Sequence, residues 1–481
     1  MEKIYNYING EVSSPAADDW LDVFEPATGN TYAQAPDSGD TDLDAALAAA
    51  QAAFPDWSAT PGAQRGLLLN KLADLVEQRA DEFAEAESID TGKPLHMAST
   101  VDIPRVSANL RFYAGAAEHF ATEAHPMEQG AINYTLRAPL GVIGCISPWN
   151  LPLYLLSWKI APALAAGNTV VAKPSELTPM TAYLFSRLLN LADFPPGVLN
   201  IVHGYGAGIG QLLVEAPQIA AISFTGGTRT GEQIQRTTAG SFKKLSLEMG
   251  GKNPTLVFAD CDWDQTMAGA LRAAFTNQGE VCLCGSRILV ERSIYDRFRD
   301  EFVQRAARLK VGDPNDPATE QGALISQAHM EKVLGCIEQA RREGGEILCG
   351  GEPVAVPGRC ADGWFVAPTV VDGLGPACAT NQEEIFGPVT TLQAFDSEDE
   401  AVALANQTSY GLAASIWSSD VGRCLRLARH IEAGLIWVNT WMVRDLRTPM
   451  GGMKQSGMGR EGGFESMRFF TEPKNVCIQY G

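Results

Sequence analysis

The stretch Leu247-Glu-Met-Gly-Gly-Lys-Asn-Pro-Thr-Leu-Val-Phe258 lies between two series of short apolar segments. The upstream segments are separated by helix-length spacers and occupy residues 142–146, 169–172, 200–202 and 221–224. The downstream segments occupy residues 255–258, 288–290, 369–371, 390–392 and 435–438. Strands that alternate with helices are typical of parallel α/β sheets. The sequence therefore predicts two α/β units with Glu248 at their junction, and clefts between domains are where ligands usually bind.

Length and composition are ordinary for a globular enzyme of two or three domains. The chain has 481 residues, of which 45% are hydrophobic and 20% charged. Lys and Arg together number 37 against 57 for Asp and Glu, which gives a net charge of −20. This excess of acid argues against a nucleic-acid partner. It leaves an anionic substrate open, because a local pair of arginines can override the global field.

Features of targeting, membrane insertion and metal binding are not found. The N-terminus, Met1-Glu-Lys-Ile-Tyr-Asn-Tyr7, lacks the apolar core of a signal peptide. The most apolar stretch, residues 141–172, is interrupted too often by polar residues and prolines to cross a bilayer. Ten cysteines without a Cys-x-x-Cys pair favour neither a disulfide framework nor a zinc site. We therefore expect a cytoplasmic enzyme with reduced thiols, no metal and no membrane partner.

The remaining segments differ from the α/β pattern. Residues 1–40 are rich in turns and predict short strands, whereas residues 41–125 have helical periodicity. Residues 127–137 and 475–480 alternate in character and do not fit a parallel core. These two excursions could pair as an antiparallel flap that joins subunits, or be ordinary edge strands.

A candidate nucleophile lies in the stretch Phe275-Thr-Asn-Gln-Gly-Glu-Val-Cys-Leu-Cys-Gly-Ser-Arg287. Free cysteines are often small core residues, and nine of the ten, including Cys284, are interpreted that way. Cys282 differs because Gly279 and Gly285 permit close backbone approach at a turn. A thiol with the separately placed carboxylate of Glu248 is the minimum for covalent catalysis with a general base. A Ser-His-Asp arrangement is less consistent with six histidines and no Gly-x-Ser-x-Gly elbow nearby.

Residues 203–210 are glycine-rich but do not fit the dinucleotide-binding pattern G-x-G-x-x-G, since position 209 is Ile.

Three other motifs carry candidate binding groups. Residues 224–231 follow a strand and open a helix, so free N–H groups there could face a pyrophosphate, although a plain turn is also consistent. Lys173 and Glu176 follow another strand and could hold two ribose hydroxyls or be a solvated pair. Asn150, between Pro148 and Pro152, is either a donor to an oxyanion or part of an Asx-turn.

Several motifs resemble the signatures of the NAD(P)-dependent aldehyde dehydrogenase superfamily and follow one another in the same order along the chain. They are Pro148-Trp-Asn150, Lys173-Pro-Ser-Glu176, Phe224-Thr-Gly226, Glu248-Met-Gly-Gly-Lys252, Gly279-Glu-Val-Cys282 and Glu383-Glu-Ile-Phe-Gly-Pro388. The resemblance covers about residues 5–476. It implies an aldehyde dehydrogenase-like α/β fold with two parallel-sheet domains and a small antiparallel oligomerisation flap. The implied boundaries are 1–125 and 141–249 for the NAD-binding domain, 250–445 for the catalytic domain, and 126–140 and 464–481 for the flap, in a homodimer or homotetramer.

The resemblance also implies roles for individual residues. Cys282 would be the nucleophile and Glu248 the general base, while Asn150 and the N–H of Cys282 would form the oxyanion hole. Contacts with the NAD cofactor are implied for Ile146, Ser147, Trp149, Lys173, Glu176, Gly226, Gly227, Gly231, Glu384 and Phe386.

Two positions depart from the pattern of most members, and a third bears on cofactor choice. Gly227 stands where many members carry Ser, which removes one hydroxyl contact with pyrophosphate. Glu280 stands where most carry Gln, so a carboxylate lies near the thiol in sequence, where it either raises the thiol pKa or faces away. Glu176 favours NAD over NADP, because a carboxylate repels a 2′-phosphate.

A narrower resemblance is to the branch that oxidises 2-aminomuconate and 2-hydroxymuconate semialdehydes, through residues 102–105, 147–153, 279–283 and 441–447. In that branch the arginines matching Arg105 and Arg444 bind the substrate carboxylate, and a guanidinium does offer a planar fork to a carboxylate. Arg105 could instead be a helix-surface charge, and Arg444 could pair with Asp445. Arg111 and Arg447 are reserve candidates.

The resulting hypothesis is NAD-dependent oxidation of a carboxylate-bearing semialdehyde through a thiohemiacetal and a thioester on Cys282. One alternative is a betaine-type or general aliphatic aldehyde dehydrogenase, whose cationic substrate would favour an aromatic cage without an arginine pair. Another is a catalytically silent structural homologue.

Overall fold

The computed structural model describes residues 2–480, and its largest sheet has eight strands. Five central strands run parallel, in the spatial order Lys244–Glu248, Ile219–Thr225, Val142–Ile146, Thr169–Lys173 and Leu199–Ile201. Antiparallel strands close the two edges: Gly457–Met458 on one side, Asn6–Ile8 and Glu11–Ser13 on the other. The predicted parallel sheet is confirmed, and it gains the unpredicted strand that ends at Glu248.

The second sheet has seven strands, of which six are parallel. Their order is Glu346–Cys349, Thr369–Asp372, Val389–Phe395, Arg287–Glu291, Pro254–Val257, Ala413–Trp417 and Leu435–Val438, and only the first is antiparallel to its neighbour. The strand Ala413–Trp417 gave no clear signal in sequence because three of its five residues are Ala or Ser. Two parallel α/β units are therefore present, as predicted.

A third sheet is small and antiparallel. Thr471–Gln479 pairs with Ala131–Pro139, which pairs in turn with Ala124–Met127. The two alternating excursions of the sequence thus pair with each other, with Val476 opposite Tyr134. Most of the residues in the outer two strands are exposed. The exact boundaries of this flap and of the two domains stay predictions.

Helices cover both main sheets. The larger helices are Asp40–Ala59, Gly62–Gln78, Ala80–Thr91, Ile103–His119, Pro152–Ala165, Thr228–Thr238, Trp263–Phe275, Tyr295–Ala306, Gln327–Arg342, Glu398–Asn406 and Val421–His430. Shorter ones are Leu95–Met97, Met180–Ser186, Gln211–Glu215, Ala379–Gln382 and Gly463–Phe469. The N-terminal strands Glu2–Lys3, Asn30–Pro36 and Trp20–Glu25 form a separate three-stranded sheet, and Tyr410–Gly411 pairs with Met453–Lys454.

The apolar stretch 141–172 is interior rather than membrane-spanning. All fourteen residues of the helix Pro152–Ala165 are buried, and it packs between the first sheet and the helix Ile103–His119. A helix that is apolar all round is expected in a protein core. Within residues 2–480, no helix is long and apolar enough to cross a membrane.

The sheet topology brings several predicted site residues to one edge. Ile146, Lys173, Thr225 and Glu248 are the last residues of four neighbouring parallel strands. In open α/β sheets, ligands bind outside the carboxyl ends of the strands. In the second sheet the candidate residues lie at the amino ends of the strands instead. The segments containing Cys282 and Glu384 precede strands that begin at residues 287 and 389.

Candidate active site

The candidate thiol follows an unusual backbone segment. After the helix Trp263–Phe275, the residues Asn277, Gln278 and Gly279 have φ of 53°, 54° and 72°. Such left-handed conformations are costly for residues other than glycine and are retained when surrounding contacts hold them. The Gln278 side chain supplies such contacts, since its Oε1 accepts the N–H of Gly322 at 3.1 Å and its Nε2 donates to the Ala323 carbonyl at 3.2 Å.

Glycine at position 279 is also required by close packing. A Cβ there would lie 2.1 Å from the carbonyl oxygen of Gly387, which belongs to the segment carrying Glu384 and Phe386. The thiol loop and the candidate cofactor segment therefore touch through their backbones, which fixes their relative positions.

Cys282 is half-buried at this turn and lines a cavity. Burial raises the pKa of the Cys282 thiol to about 12, and the neighbouring Glu384 and Glu248 carboxylates add to this effect, while the Arg444 guanidinium opposes it. A thiol in these surroundings is protonated at neutral pH. Nucleophilic attack consequently requires a base or a nearby cation.

Asn150 is tied to the thiol loop by its side chain. Its Nδ2 donates to the Glu280 carbonyl at 2.8 Å, across 130 residues of sequence. Its own carbonyl accepts from Lys93 Nζ at 2.9 Å and from Asn277 Nδ2 at 3.3 Å. Because Nδ2 carries two hydrogens, the second N–H is available to an oxygen near the thiol. The amide bonds to a distant segment, which differs from the Asx-turn alternative.

A buried ion pair supports this arrangement. Lys93 Nζ bonds both the Asn150 carbonyl and the Asp102 carboxylate, and the Lys93 and Asp102 side chains are fully buried. Asp102 closes a π-helical turn, Ala98–Asp102, immediately before the helix that carries Arg105. Lys93 and Asp102 thus connect the Asn150 turn to the arginine helix.

Glu248 is a buried carboxylate without a protein donor. It is 3% exposed, and within residues 2–480 no group donates a hydrogen bond to either oxygen. Burial raises its pKa well above the usual value; nearby Glu461 adds to this, and the Lys159 and Arg444 cations oppose it. An unsatisfied buried acceptor of this kind calls for an explanation. Both oxygens are free to accept a hydrogen bond from a molecule that enters the site.

The cavity that Cys282 lines has a volume of 290 Å³. Its other walls are Pro148, Trp149, Asn150, Leu155, Thr225, Gly226, Gly227, Met249, Gly250, His329, Lys332, Glu384 and Phe386. Trp149 and Phe386 meet edge to face at 5.2 Å. Glu384 accepts the N–H of Gly251 at 3.0 Å, and burial raises its pKa to about 7. It is thus one carboxyl facing an otherwise largely apolar cavity.

The helix Thr228–Thr238 begins at this cavity. Gly227 precedes it without a side-chain cap, and a Cβ at that position would meet nothing within 4 Å. The first N–H groups of a helix lack intrahelical acceptors and attract anions such as pyrophosphate. Gly231 differs from its predicted neighbours: its N–H bonds the Gly227 carbonyl at 3.1 Å, and its Cα packs on the Met249 sulfur. We infer that it serves packing rather than cofactor contact.

The remaining candidates for cofactor contact lie at the carboxyl ends of two neighbouring strands of the first sheet. Lys173 Nζ and Glu176 Oε2 are 2.7 Å apart. Burial pushes the pKa of Glu176 upward, but the Lys173 ammonium and hydrogen bonds outweigh it, so the pKa is lowered and the group is ionised. Ile146 ends its strand, and the next residue, Ser147, donates its N–H to the Lys173 carbonyl at 3.2 Å. The Ser147 hydroxyl is buried without a protein partner in the described chain.

Two candidate arginines converge on one tyrosine. Arg105 Nε and Arg444 Nη1 donate to the hydroxyl of Tyr154 at 3.3 and 3.2 Å. Asp445 pairs with Arg447 instead of Arg444, which rules out the ion pair considered from sequence. The two reserve candidates for substrate binding do not face the site. Arg111 forms ion pairs with Asp74 and Glu77 at the surface, and the Arg447 side chain is 80% exposed.

The side chain of Glu280, which stands where most family members carry Gln, points away from the Cys282 thiol. Its Oε1 accepts the N–H of Ile325 at 3.1 Å and lies 3.6 Å from His329 Nε2. Burial raises the pKa of Glu280 well above its usual value. Of the two possibilities left open by the sequence, the geometry selects the one in which Glu280 faces away. Its contribution to the thiol region is through its carbonyl, which holds Asn150.

Several site residues were missed in the sequence. Tyr154 lies four residues after Asn150, in the first turn of the helix Pro152–Ala165, and its closeness in sequence to Asn150 was a usable signal. Lys93 and His329 gave none, because Lys93 reaches Asn150 across 57 residues and His329 reaches the Phe386 carbonyl, at 2.7 Å, across another 57.

The chain is similar to known proteins along nearly its whole length. The model of the aldehyde dehydrogenase family matches residues 13–476. A 2-aminomuconic semialdehyde dehydrogenase of Danio rerio is 51% identical over 478 residues, covering 99% of this chain and 98% of that protein. A 2-hydroxymuconic semialdehyde dehydrogenase of Pseudomonas sp. (strain CF600) is 47% identical over 485 residues, with full coverage of both. The NAD+ complex structure of aldehyde dehydrogenase from Bacillus cereus superimposes with a TM-score of 0.97 at 38% identity, covering 100% of this chain and 97% of that one.

Proposed function

The chain belongs to the aldehyde dehydrogenase family, and we propose that its substrate is a carboxylate-bearing semialdehyde such as 2-aminomuconate or 2-hydroxymuconate 6-semialdehyde. It is an oxidoreductase that acts on aldehydes with an NAD(H)-type cofactor. The observation that carries the substrate class is the pair of arginines, Arg105 and Arg444, held on the Tyr154 hydroxyl near the thiol. Two curated relatives named for such semialdehydes support it.

The proposed mechanism assigns each step to a positioned group. The Cys282 sulfur attacks the aldehyde carbon, and Arg444 favours the thiolate that this requires. The amide of Asn150 and the N–H of Cys282 donate to the oxygen that becomes negative, where preorganised donors are most effective. When bound, the cofactor would accept the hydrogen of the aldehyde carbon as hydride, which would leave a thioester on Cys282. Glu248 then removes a proton from water, which attacks the thioester and releases the acid.

An arginine pair distinguishes this substrate class from a betaine-type aldehyde. A quaternary ammonium substrate is recognised by aromatic faces without neighbouring cations. Here Arg444 lies close enough to shift the pKa values of both Cys282 and Glu248, so a cationic substrate would be repelled at the reacting centre. The betaine-type alternative is therefore disfavoured.

Replacing Arg444 by methionine tests the substrate class. We expect the ratio of kcat/KM for adipic semialdehyde to that for hexanal to fall about 10- to 100-fold, the value of one charge-assisted hydrogen-bonded contact. The ratio is the diagnostic quantity, because Arg444 also stabilises the Cys282 thiolate for both aldehydes. Arg447→Met is the matched control, since Arg447 is exposed and paired with Asp445. An unchanged ratio in Arg444→Met would exclude the carboxylate anchor.

We further propose that NAD is preferred over NADP. The ionised Glu176 is fixed by Lys173 at 2.7 Å, and a carboxylate beside the adenosine ribose accepts hydroxyl donors but repels a 2′-phosphate. For Glu176→Ala we expect the preference for NAD, as the ratio of kcat/KM values, to fall about tenfold or more through a lower KM for NADP. Steady-state rates with both cofactors at fixed aldehyde measure it. If NADP remained equally poor, another group would be responsible for the discrimination.

Assembly and location are also proposed. The flap carries exposed apolar side chains on its paired strands, among them Leu136 and Ile478, which are 47% and 48% exposed. Exposed apolar patches mark interaction sites, so we propose a homodimer or homotetramer assembled through the flap. All ten cysteines are free, which supports a reducing compartment such as the cytoplasm.

A further inference from the structure

A second large cavity lies on the other side of the thiol loop from the cofactor cavity. Its volume is 570 Å³. Val281 lines this cavity while Cys282 lines the cofactor cavity, and Leu151 and Tyr154 line this one while Asn150 and Leu155 line the other. The reacting centre therefore lies between the two, and an aldehyde would approach through the second.

The charged groups in the walls of this cavity are all cationic. Arg105 and Arg272 line it, and none of its lining residues is Asp or Glu. Arg444 reaches the same Tyr154 hydroxyl as Arg105. The Asp445 carboxylate interacts with Arg105, which helps lower its pKa, but Asp445 is paired with Arg447 and does not line the cavity. In a chain of net charge −20, the charged side chains that line this cavity are thus both positive.

Arg272 has N–H donors that are available to a ligand. It lies in the last turn of the helix Trp263–Phe275, ten residues before Cys282, and is exposed to the cavity side. Its Nη2 donates to the Trp441 carbonyl at 3.0 Å, which directs the guanidinium along a cavity wall. A guanidinium carries five N–H donors, so one such bond leaves a fork free for a bidentate carboxylate.

Of the two cavities that Arg272 lines, only the one shared with Arg105 lacks a carboxylate in its lining. A neighbouring cavity of 430 Å³ also includes Arg272, but Glu320 lines it and its other arginine, Arg305, pairs with Glu301. An anion attracted by Arg272 is therefore better accommodated in the cavity that Arg105 lines.

We propose that Arg272 forms a second carboxylate subsite, so that the cavity also binds semialdehydes bearing a further carboxylate beyond the one bound by Arg105 and Arg444. The inference rests on the proposed function and extends its substrate class from one carboxylate to two. Arg105 and Arg272 stand on different helices: Ile103–His119 packs on the helix Pro152–Ala165 of the first α/β unit, and Trp263–Phe275 packs on the second sheet. A substrate with two carboxylates satisfies both walls, whereas a substrate with one leaves Arg272 unpaired.

Kinetics with matched aldehydes test the subsite. The probes are hexanal, adipic semialdehyde, and adipic semialdehyde with a carboxymethyl branch beside its carboxylate. For Arg272→Met we expect KM for the branched dicarboxylate to rise about tenfold, while KM for adipic semialdehyde changes less than about twofold. Arg272→Lys should retain part of the binding, because lysine keeps the charge and loses the fork. Arg305→Met, whose arginine lines only the neighbouring cavity, should leave all three KM values unchanged.

The outcomes separate this inference from the function it rests on. If wild-type enzyme turned over hexanal as well as adipic semialdehyde, the carboxylate-bearing substrate class would fail regardless of Arg272. If wild type preferred adipic semialdehyde but Arg272→Met affected the mono- and dicarboxylate equally, or neither, only the second subsite would be overturned. Raising the salt concentration should reduce the wild-type advantage for the dicarboxylate, and a salt-independent advantage would also count against it.

Discussion

Alanine in place of Cys282 is expected to abolish NADH formation, with kcat lower by about 10⁴-fold or more, because removal of a nucleophile leaves no covalent route. The dissociation constant for NAD should stay within about twofold, since the cavity walls contributed by Trp149, Glu384 and Phe386 are unaltered. Stopped-flow absorbance measures the first quantity, and quenching of protein fluorescence by the cofactor measures the second. Residual turnover near the wild-type rate would exclude Cys282 as the nucleophile.

Two controls make this result specific to one thiol. Cys284→Ala removes a buried neighbour whose sulfur faces the Thr276 carbonyl at 3.9 Å, and it should retain catalysis. Alkylation of Cys282 by iodoacetamide gives the second control. Because burial and two carboxylates raise the thiol pKa to about 12, the cofactor-free thiol stays protonated until high pH. Its labelling rate should therefore rise roughly tenfold per pH unit from pH 7 to 10, whereas a plateau near pH 8 would show a far more acidic thiol.

Glutamine in place of Glu248 is expected to separate the two halves of the reaction. Formation of the thioester on Cys282 does not need the carboxylate, because Arg444 favours the thiolate, so one NADH per active site should still form rapidly. Hydrolysis of the thioester needs a base, and the steady-state rate should fall about 10²- to 10⁴-fold. The burst amplitude and the following slope in one stopped-flow trace report both. Normal steady-state turnover without a burst would assign the base elsewhere.

The pH dependence gives a second signature for Glu248. Burial and Glu461 raise its pKa well above the usual carboxyl range, so the basic form of Glu248 accumulates as the pH increases through that raised pKa. Wherever hydrolysis limits the rate, wild-type kcat should rise with pH along this limb. The limb should vanish in Glu248→Gln and persist in a control, Glu215→Gln, which alters an exposed glutamate at the end of a surface helix.

Much of the fold follows from local pattern. Apolar segments of strand length separated by helix-length spacers predict a parallel sheet, because burial on both faces requires continuous apolar runs. The strand Lys244–Glu248 escaped this criterion since Lys, Ser and Glu alternate with its two leucines. Its place is decided by pairing with Ile219–Thr225, which is a contact made only in the folded chain.

Arg111 shows why position in sequence could not choose among the arginines. It lies six residues after Arg105 on the same helix, yet it points to Asp74 and Glu77 on the neighbouring helix Gly62–Gln78. A spacing of six residues places the side chains of Arg105 and Arg111 on different faces of a helix with 3.6 residues per turn, so only one of them can face the cavity. Which face meets the cavity depends on how the helix packs.

Local patterns predict the two α/β units, the turn that carries Cys282 and the position of Glu248 in the chain, because strand alternation and glycine spacing are properties of neighbouring residues. Which of these groups act on one another depends on how distant segments pack. Asn150 meets Glu280 across 130 residues and Arg444 meets Tyr154 across 290. Such contacts, and the burial that raises the pKa of the Cys282 thiol, arise only when distant segments pack together and exclude water.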